Sequence, residues 1–212
     1  MLKLKVCGMK FPKNIEALVE LKPDFIGFIF YPKSIRYMAG SLNSGFVKKI
    51  PESIKKVGVF VNDFFESIEF EVVRNNLNLV QLHGNESPDL CKALKSRGIQ
   101  VVKAFQIYPG FVFSSLEPYK DYCDYFLFDT QTPLYGGSGH KFDWELLSNY
   151  DNQKPFFLSG GIDLEDVDKI KTINNLNLHA IDINSCFEFS PGLKDIEKVK
   201  SFQNLLNVTI SE

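Results

Sequence analysis

Short apolar stretches recur along the whole chain, with more polar segments between them. Eight of these stretches are rich in β-branched, aromatic and leucine residues, at positions 4–7, 25–30, 56–61, 79–83, 101–107, 125–129, 155–159 and 180–184. Runs of this length and composition predict β-strands. Because the runs are almost continuously apolar, we expect strands that are buried on both faces, as in a parallel sheet.

The segments between the predicted strands have the repeat of apolar positions that is typical of amphipathic helices. In one of them, Phe64, Ile68 and Val72 lie on one face. Asp63 and Glu66 have the spacing of a capping box at the start of this segment. We therefore expect a helix that Asp63 caps and that packs its apolar face against the sheet.

Two later helices are predicted to begin behind caps at Asp163 and Asp195. The segment 108–122 contains two prolines and Gly110, and is the least helical of the crossovers. Eight strands joined by crossover segments predict an α/β protein, a single (β/α)8 TIM barrel, and leave an open doubly wound sheet as the alternative. No change of composition marks a second domain, so we expect residues 1–212 to form one catalytic domain.

The composition favours a small molecule as the partner. The chain has 212 residues, of which 44% are hydrophobic, enough apolar material for one substantial core. Its 24 basic and 26 acidic residues give a net charge of −2, with no long run of one sign. A surface for nucleic acid or for an anionic membrane would need a concentration of positive charge. We therefore expect neither kind of partner.

The cysteines and the N-terminus predict a cytoplasmic protein. Cys7, Cys91, Cys123 and Cys186 are scattered and lack the paired spacing of a zinc site. A disulfide framework is not expected in a chain this long and apolar, so the thiols should be reduced. Residues 1–6 alternate apolar and lysine side chains, unlike the continuous apolar stretch of a signal peptide, and no later segment has the length of a membrane span.

In a (β/α)8 barrel, catalytic and binding residues lie at the carboxyl ends of the strands and in the loops that follow. Cys7 ends the first predicted strand and Asp129 ends the sixth. A thiolate and a carboxyl group across one pocket can remove one proton and supply another, as an isomerisation requires. Both positions also fit a structural role, with Cys7 as a small buried side chain and Asp129 as a turn residue.

Three segments at strand ends have the composition of phosphate-binding loops. Gly160 and Gly161 follow strand seven, Asn184 and Ser185 follow strand eight, and the glycine-rich segment 136–139 follows strand six. Backbone amides in such loops can approach phosphate oxygens, and the recurring phosphate site of these barrels uses the loops after strands seven and eight. Ordinary tight turns would also explain each glycine separately.

Further binding residues are expected near strands two and four. Arg36 lies in the loop after strand two, where it could pair with a substrate carboxylate or simply face water. Gln81 and His83 lie at the end of strand four, where we expect them to line the pocket and contact substrate. No metal or cofactor is expected, because His140 and His179 do not lie at strand ends facing His83.

Several stretches of the chain resemble the phosphoribosylanthranilate isomerase family, in the family's own order and over nearly the whole length. They are residues 5–8 (KVCG), 27–37 (GFIFYPKSIRY), 57–62 (VGVFVN), 80–84 (VQLHG), 128–130 (FDT), 136–144 (GGSGHKFDW) and 191–195 (PGLKD). Several ordered matches of this kind are specific to the family.

The resemblance implies an Amadori rearrangement of N-(5-phosphoribosyl)anthranilate to 1-(2-carboxyphenylamino)-1-deoxyribulose 5-phosphate, a step of tryptophan biosynthesis. In this comparison Cys7 corresponds to the general base that acts on C2 of the ribose. Asp129 corresponds to the general acid that protonates the ring oxygen, and Arg36 to the group that holds the anthranilate carboxylate. The loops at 160–161 and 184–185 correspond to the phosphate site. Such barrels work as monomers or as homodimers.

The chain departs from the usual family pattern at three positions. Cys186 stands where glycine is usual after strand eight. If that position requires a positive φ, Cys186 would be strained or the phosphate loop would differ. In the loop after strand six, Ser138 replaces the usual threonine and His140 the usual lysine. We assign His140 no role.

Two alternatives remain open. The related barrel isomerase of histidine biosynthesis performs the same rearrangement on a substrate with two phosphates, but it resembles a doubled half-barrel with an aspartate as the base on strand one, where this chain has Cys7. A barrel that binds phosphate without turnover is the other alternative, and the presence of both Cys7 and Asp129 argues against it.

Overall fold

A computed structural model describes residues 2–38, 44–130, 141–173 and 175–208. In this part of the chain, eight parallel strands form a closed barrel in sequence order, and the last strand is hydrogen-bonded to the first. The barrel strands are β1 (Lys3–Val6), β2 (Phe25–Ile29), β3 (Lys55–Phe60), β4 (Leu79–Leu82), β5 (Gln100–Ile107), β6 (Tyr125–Thr130), β7 (Phe156–Leu158) and β8 (Leu178–Ile183). The predicted (β/α)8 barrel is therefore confirmed, and the open sheet is wrong.

Helices surround the barrel and connect its strands. Within the described ranges the α-helices are α1 (Pro12–Glu20), α2 (Ser44–Lys48), α3 (Phe65–Asn75), α4 (Pro88–Ser96), α5 (Val167–Thr172) and α6 (Ile196–Val208). After β5 the crossover contains a 3₁₀ helix, Phe113–Tyr119, with Pro118 inside it, which agrees with the irregular crossover expected there. None of the helices in these ranges is long and apolar enough to cross a membrane.

The side chains of each strand alternate between two hydrophobic cores. One core fills the barrel interior, and the other lies between the sheet and the surrounding helices. The interior core consists of Phe25, Val57, Leu79, Val102, Ala104, Leu127, Phe157 and Ala180. The next inward positions toward the carboxyl ends of β4, β6 and β8 are Gln81, Asp129 and Asp182. Strand alternation therefore places polar groups directly above an apolar floor.

Two of the predicted helix caps are present. Asp163 forms a capping box with Asp166. The side chain of each residue accepts a hydrogen bond from the backbone N–H of the other. The carboxylate of Asp195 accepts the N–H of Lys198 at 3.0 Å, at the start of α6. Both contacts satisfy amides that would otherwise lack a partner in the first helical turn.

The predicted start of α3 is wrong. The helix begins at Phe65, its N-cap is Phe64, and no described side chain caps it. The carboxylate of Asp63 instead accepts the N–H of Phe64 at 2.9 Å, so it is not placed to form a capping box with Glu66. As a result Phe64 points outward and is 78% exposed, whereas Ile68 is fully buried as predicted.

Candidate active site

A cavity opens where the carboxyl ends of the barrel strands meet. Eight of the nine side chains or glycines that the sequence predicts for the site line it: Cys7, Gln81, His83, Asp129, Gly160, Gly161, Asn184 and Ser185. The same cavity is also lined by Asp182, which the sequence analysis did not propose. Residues from β1, β4, β6, β7 and β8 thus meet in one space, as the rule for this fold requires.

Cys7 lies one residue beyond β1 and faces the cavity. Its backbone N–H continues the ladder to β8 by donating to the carbonyl of Ile183 at 2.9 Å. The side chain is 4% exposed. A Cβ atom on Gly27 of β2 would lie 2.7 Å from the Cys7 sulfur. The absence of a side chain at Gly27 therefore provides the room that the thiol occupies.

Charged groups around Cys7 act on the thiol in opposite directions. Burial raises the pKa of Cys7, and the ammonium of Lys5 lowers it; the charge of Asp182 acts to raise it and that of Lys194 to lower it. The net result is a pKa above the ordinary value of a thiol. Lys5 itself forms a buried ion pair with Asp182, with 2.6 Å between Nζ and Oδ2. A cation is thus held beside the thiol, where it opposes the effect of burial.

Asp129 is held by a chain of contacts that begins in β4, two strands away in the barrel. Gln81 Nε2 donates to His83 Nδ1 at 2.8 Å. Because an amide nitrogen only donates, His83 Nδ1 must accept, and the neutral ring then carries its proton on Nε2. That atom lies 3.2 Å from Asp129 Oδ2, while Asp129 Oδ1 accepts the N–H of Thr130 at 2.8 Å. Both carboxyl oxygens of Asp129 are therefore fixed in place.

The loop after β7 depends on two glycines with left-handed backbone conformations. Gly160 has φ +96° and Gly161 has φ +65°. A Cβ atom on Gly160 would lie 2.7 Å from the backbone nitrogen of Thr130 and 2.9 Å from Asp129 Oδ1. Only glycine fits here, because a side chain would meet both backbone and the Asp129 carboxylate.

The loop after β8 accommodates Cys186 without left-handed backbone. Cys186 lies in a short 3₁₀ helix, Ser185–Phe187, and does not have a positive φ. This position therefore does not require a positive φ in this chain, and the strain that such a φ would cause is absent. Lys198 Nζ donates to the Cys186 carbonyl at 2.7 Å and to Asp163 Oδ2 at 3.0 Å. This lysine connects the loops that follow β7 and β8.

Arg36 lies beside the cavity and does not line it. Its Nε and Nη2 donate to the carboxylate of Glu188, with the shortest contact at 2.7 Å. Glu188 begins the short strand β9 (Glu188–Ser190), and its carboxylate also forms an ion pair with Lys194. The Arg36 side chain is near Gly8, where an added Cβ would meet its Cδ at 2.8 Å. Its role in holding a carboxylate stays a prediction.

Four residues of this region escaped the sequence analysis: Lys5, Asp182, Glu188 and Lys194. Lys5 and Asp182 are 1% and 4% exposed, although they lie within apolar strands. A charged residue at an inward position of such a strand, two positions from a candidate site residue, is the signal that could have identified both. Glu188 and Lys194 lie in a hairpin whose position only the folded chain shows.

The sequence predicts no metal site and a glycine-rich loop after β6. Among the described residues, no group of three His, Cys, Asp or Glu side chains is placed to hold a metal ion. The segment 136–139 and His140 lie outside the described residues.

The comparisons with known proteins identify the family of this chain. Residues 4–204 match the family model for N-(5'-phosphoribosyl)anthranilate (PRA) isomerase. The enzyme of that name from Parabacteroides distasonis is 43% identical to this chain over 209 residues, which cover 98% of this chain and 95% of the relative. The chain belongs to the phosphoribosylanthranilate isomerase family. A second member of the family, from Phocaeicola vulgatus, is 40% identical over 207 residues, with 98% of each chain covered.

Solved structures of the isomerase family have the same fold. The phosphoribosylanthranilate isomerase of Thermotoga maritima superimposes with a TM-score of 0.84 at 35% identity, with 98% of this chain and all of that chain (100%) covered. A crystal structure of a family member in complex with reduced 1-(o-carboxyphenylamino)-1-deoxyribulose 5-phosphate superimposes with a TM-score of 0.78 at 32% identity, covering 98% of this chain and 100% of that one.

Proposed function

We propose that this protein catalyses the Amadori rearrangement of N-(5-phosphoribosyl)anthranilate to 1-(2-carboxyphenylamino)-1-deoxyribulose 5-phosphate in tryptophan biosynthesis. The observation that supports it most directly is the convergence of Cys7 and Asp129 on one cavity from β1 and β6. Membership of the isomerase family supports the same reaction. The loops at 160–161 and 184–185, which line the cavity as well, supply backbone amides for the phosphate.

In the proposed mechanism, Asp129 donates a proton to the furanose ring oxygen as the bond from that oxygen to C1 breaks. The nitrogen lone pair forms the C1–N double bond of an iminium ion. The Cys7 thiolate then removes the proton from C2, and the electron pair of that C–H bond forms the C1–C2 double bond. The resulting enamine takes up a proton at C1 and loses the proton of its C2 hydroxyl, which gives the aminoketone. No net oxidation or reduction takes place.

The polar contacts around Asp129 suit this role. His83 and Thr130 fix the two carboxyl oxygens, so that the group faces the cavity in one orientation. Cys7 needs its thiolate form to act as a base, and the ammonium of Lys5 favours that form. Fixing the phosphate at the loops of β7 and β8 would hold the sugar between the two groups, which lowers the entropic cost of the reaction.

Arg36 is proposed to hold the anthranilate carboxylate. Two of its N–H groups face Glu188, which leaves other donors of the guanidinium for a ligand. Because this interaction is the same in the substrate and the transition state, Arg36→Ala should raise KM more than it lowers kcat. Unchanged KM and kcat in that variant would remove the assignment.

The remaining expectations are also proposals. We propose one catalytic domain over residues 1–212, with no cofactor, in the cytoplasm. Whether the enzyme is a monomer or a homodimer is decided by sedimentation of the purified protein. A structure of monomers generated from the dimeric enzyme of Thermotoga maritima superimposes with a TM-score of 0.80 at 31% identity.

The reaction is tested by the loss of anthranilate fluorescence when purified protein is added to the substrate. Progressive decay supports the enzyme, and binding without decay supports a barrel that has lost turnover. Cys7→Ala and Asp129→Ala should each lower kcat by at least about a hundredfold, the scale of a lost proton-transfer group. Cys91→Ala, which changes a buried cysteine away from the cavity, serves as the control. Unchanged kcat in both active-site variants would contradict the mechanism.

A further inference from the structure

Two buried oxygen atoms in the wall of the cavity have no hydrogen-bond partner among the described residues. They are Gln81 Oε1 and Asp182 Oδ1, and the side chains of both residues line the cavity. Gln81 is 2% exposed and Asp182 is 4% exposed. A buried acceptor without a partner costs about 1–3 kcal/mol, so such atoms are rare in native proteins unless a ligand or water satisfies them. Two of them in one cavity are placed to accept hydrogen bonds from a bound molecule that donates them.

In each of the two side chains, the second polar atom makes a hydrogen bond that fixes the direction of the unpaired oxygen. The amide nitrogen of Gln81 donates to His83 Nδ1 at 2.8 Å, which turns its oxygen away from the ring. The second oxygen of Asp182 accepts from Lys5 Nζ at 2.6 Å. Neither side chain can turn without breaking a buried hydrogen bond. The two oxygens are therefore preorganised as acceptors.

The two acceptors line the same cavity as the groups proposed to move protons. Asp182 is paired in register with Lys5 of β1, on the inward face that Cys7 continues. Its charge acts on Cys7 and on Asp129, which places it near both. Gln81 lies on β4 and reaches Asp129 through the ring of His83. A ligand that spans Cys7 and Asp129 passes these two oxygens.

We propose that Gln81 Oε1 and Asp182 Oδ1 form a sugar-hydroxyl subsite, in which each oxygen accepts a hydrogen bond from one hydroxyl group of the pentose. This inference rests on the proposed function, because it takes the pentose to be the part of the substrate between Cys7 and Asp129. Hydroxyl groups are the donors that a pentose phosphate offers there. The ionised ends of the substrate, a phosphate and a carboxylate, offer these two oxygens only further acceptors.

The subsite also determines which part of the substrate lies beside these two oxygens. A carboxylate and an amide oxygen disfavour either anionic end, and so the phosphate and the anthranilate carboxylate are kept at the ends of the cavity. A ligand that lacks the hydroxyls leaves two buried acceptors unpaired, which is a strong means of discrimination. The subsite thus selects a polyol chain over an apolar one of the same length.

The test measures binding of the reduced open-chain product analogue, 1-(o-carboxyphenylamino)-1-deoxyribulose 5-phosphate after reduction, by titration calorimetry. A series of derivatives, each without one sugar hydroxyl, is compared with the parent compound. In the wild-type protein, two of these derivatives should bind at least about tenfold more weakly, which corresponds to about 1.4 kcal/mol for each lost hydrogen bond. If every derivative binds as tightly as the parent, the proposal is wrong.

Variants then assign each hydroxyl to its acceptor. Gln81→Met keeps the shape of the side chain and removes the oxygen. In this variant, one of the two derivatives should bind less than about threefold more weakly than the parent compound. Gln81→Glu keeps an acceptor at this position, so the same derivative should still bind at least about tenfold more weakly than the parent compound. If the loss for every derivative is the same in Gln81→Met as in the wild type, Gln81 is not an acceptor and the proposed subsite is overturned.

Asp182 needs a paired change, because its removal alone leaves the Lys5 ammonium buried without a partner. The double variant Lys5→Met with Asp182→Val replaces the ion pair with apolar side chains close to it in volume, a change that proteins often tolerate. In this variant the second derivative should bind as tightly as the parent compound. If it still binds as weakly, relative to the parent, as it does in the wild type, the assignment of Asp182 is overturned. Binding is measured without turnover, so a wild-type protein that binds the analogue but fails to convert substrate contradicts the proposed reaction and leaves the subsite standing.

Discussion

Lys5 and Asp182 form an ion pair inside the barrel, with 2.6 Å between the lysine nitrogen and one carboxylate oxygen. The two residues are partners in the register of β1 and β8, so the pair lies across the junction that closes the sheet. It has two effects on the site. It holds a positive charge beside Cys7, and it leaves the other oxygen of Asp182 for the cavity.

The pH dependence of kcat/KM should report the thiol of Cys7. Burial raises the pKa of Cys7 above its ordinary value of 9.0, and the charge of Lys5 opposes this effect. Because a general base acts when deprotonated, kcat/KM should rise with pH into the alkaline range. Lys5→Met removes a cation that stabilises the thiolate, and the rise should then move to higher pH.

The thiolate absorbance of Cys7 gives a measurement that does not depend on turnover. A pH titration of each protein is corrected with the corresponding Cys7→Ala variant, which contains the other three cysteines. A midpoint for Lys5→Met at or below that of the wild type would contradict the role given to Lys5.

Gly160→Ala should lower both stability and activity. The left-handed φ alone costs an alanine about 1–2 kcal/mol, and the added Cβ would also meet the backbone of Thr130 and the carboxylate of Asp129. We expect a larger loss of unfolding free energy than that figure, together with a higher KM and a lower kcat. Gly98→Ala is the matched control, because Gly98 has φ +75° and nothing lies within 4 Å of its Cβ position. Equal effects in both variants would show that the contacts of Gly160 are unimportant.

Gly27→Ala should reduce kcat by displacing the thiol. Its Cβ would lie 2.7 Å from the Cys7 sulfur, and a shift of about 1 Å in a catalytic group lowers rates by about a hundredfold. Gly58→Ala adds a methyl group to the adjacent strand, where it meets Phe60 at 2.8 Å in the hydrophobic core. This control should lower the unfolding temperature while kcat stays near the wild-type value. A wild-type kcat for Gly27→Ala would show that Cys7 tolerates the crowding.

Glu188→Gln should destabilise the protein, and the loss should depend on pH. The buried cations Arg36 and Lys194 both pair with this carboxylate, so the substitution leaves them uncompensated, which costs about 3–5 kcal/mol in buried pairs. Burial alone would raise the pKa of Glu188, but the hydrogen bonds from Arg36 and the charge of Lys194 hold it below its ordinary value of 4.5. A carboxyl whose pKa is lowered by folding stabilises the protein above the unfolded pKa, and that stabilisation is lost as pH falls through the folded value.

Urea unfolding at a series of pH values checks this prediction. The difference in unfolding free energy between the wild type and Glu188→Gln should be largest near neutral pH and shrink as the pH falls below the ordinary pKa of 4.5 toward the lowered pKa of the folded state. The control is Glu165→Gln. The side chain of Glu165 is 78% exposed and forms an ion pair with Lys141. Exposed pairs contribute about 0–1 kcal/mol, so a similar loss in both variants would contradict the special position of Glu188.

The sequence predicts the barrel well, because its signal is long and repeated. Eight apolar runs correspond to eight strands, and the strand ends direct attention to Cys7, Asp129, Gly160 and the other residues that line the cavity. These predictions need only the alternation of strand and helix and the rule that all strands of such a barrel end at the same face, where the active site lies.

The remaining features depend on contacts between distant segments. The helix cap at Asp63 is a local prediction that failed because the carboxylate bonded the next amide instead. The pairing of Arg36 with Glu188 joins positions 152 residues apart. Lys5 and Asp182 stand within apolar strands, where a charged residue gives no sign of its partner until the register of β1 and β8 is known.

The closure of the barrel has a consequence for the newly made protein. The amide of Cys7 bonds the carbonyl of Ile183, and Lys5 pairs with a residue 177 positions further along the chain, so both partners are synthesised much later. The nascent chain therefore has no assembled site while most of it is being translated. A prematurely terminated chain that stops before β8 lacks Asp182, Asn184 and Ser185, and with them one wall of the cavity.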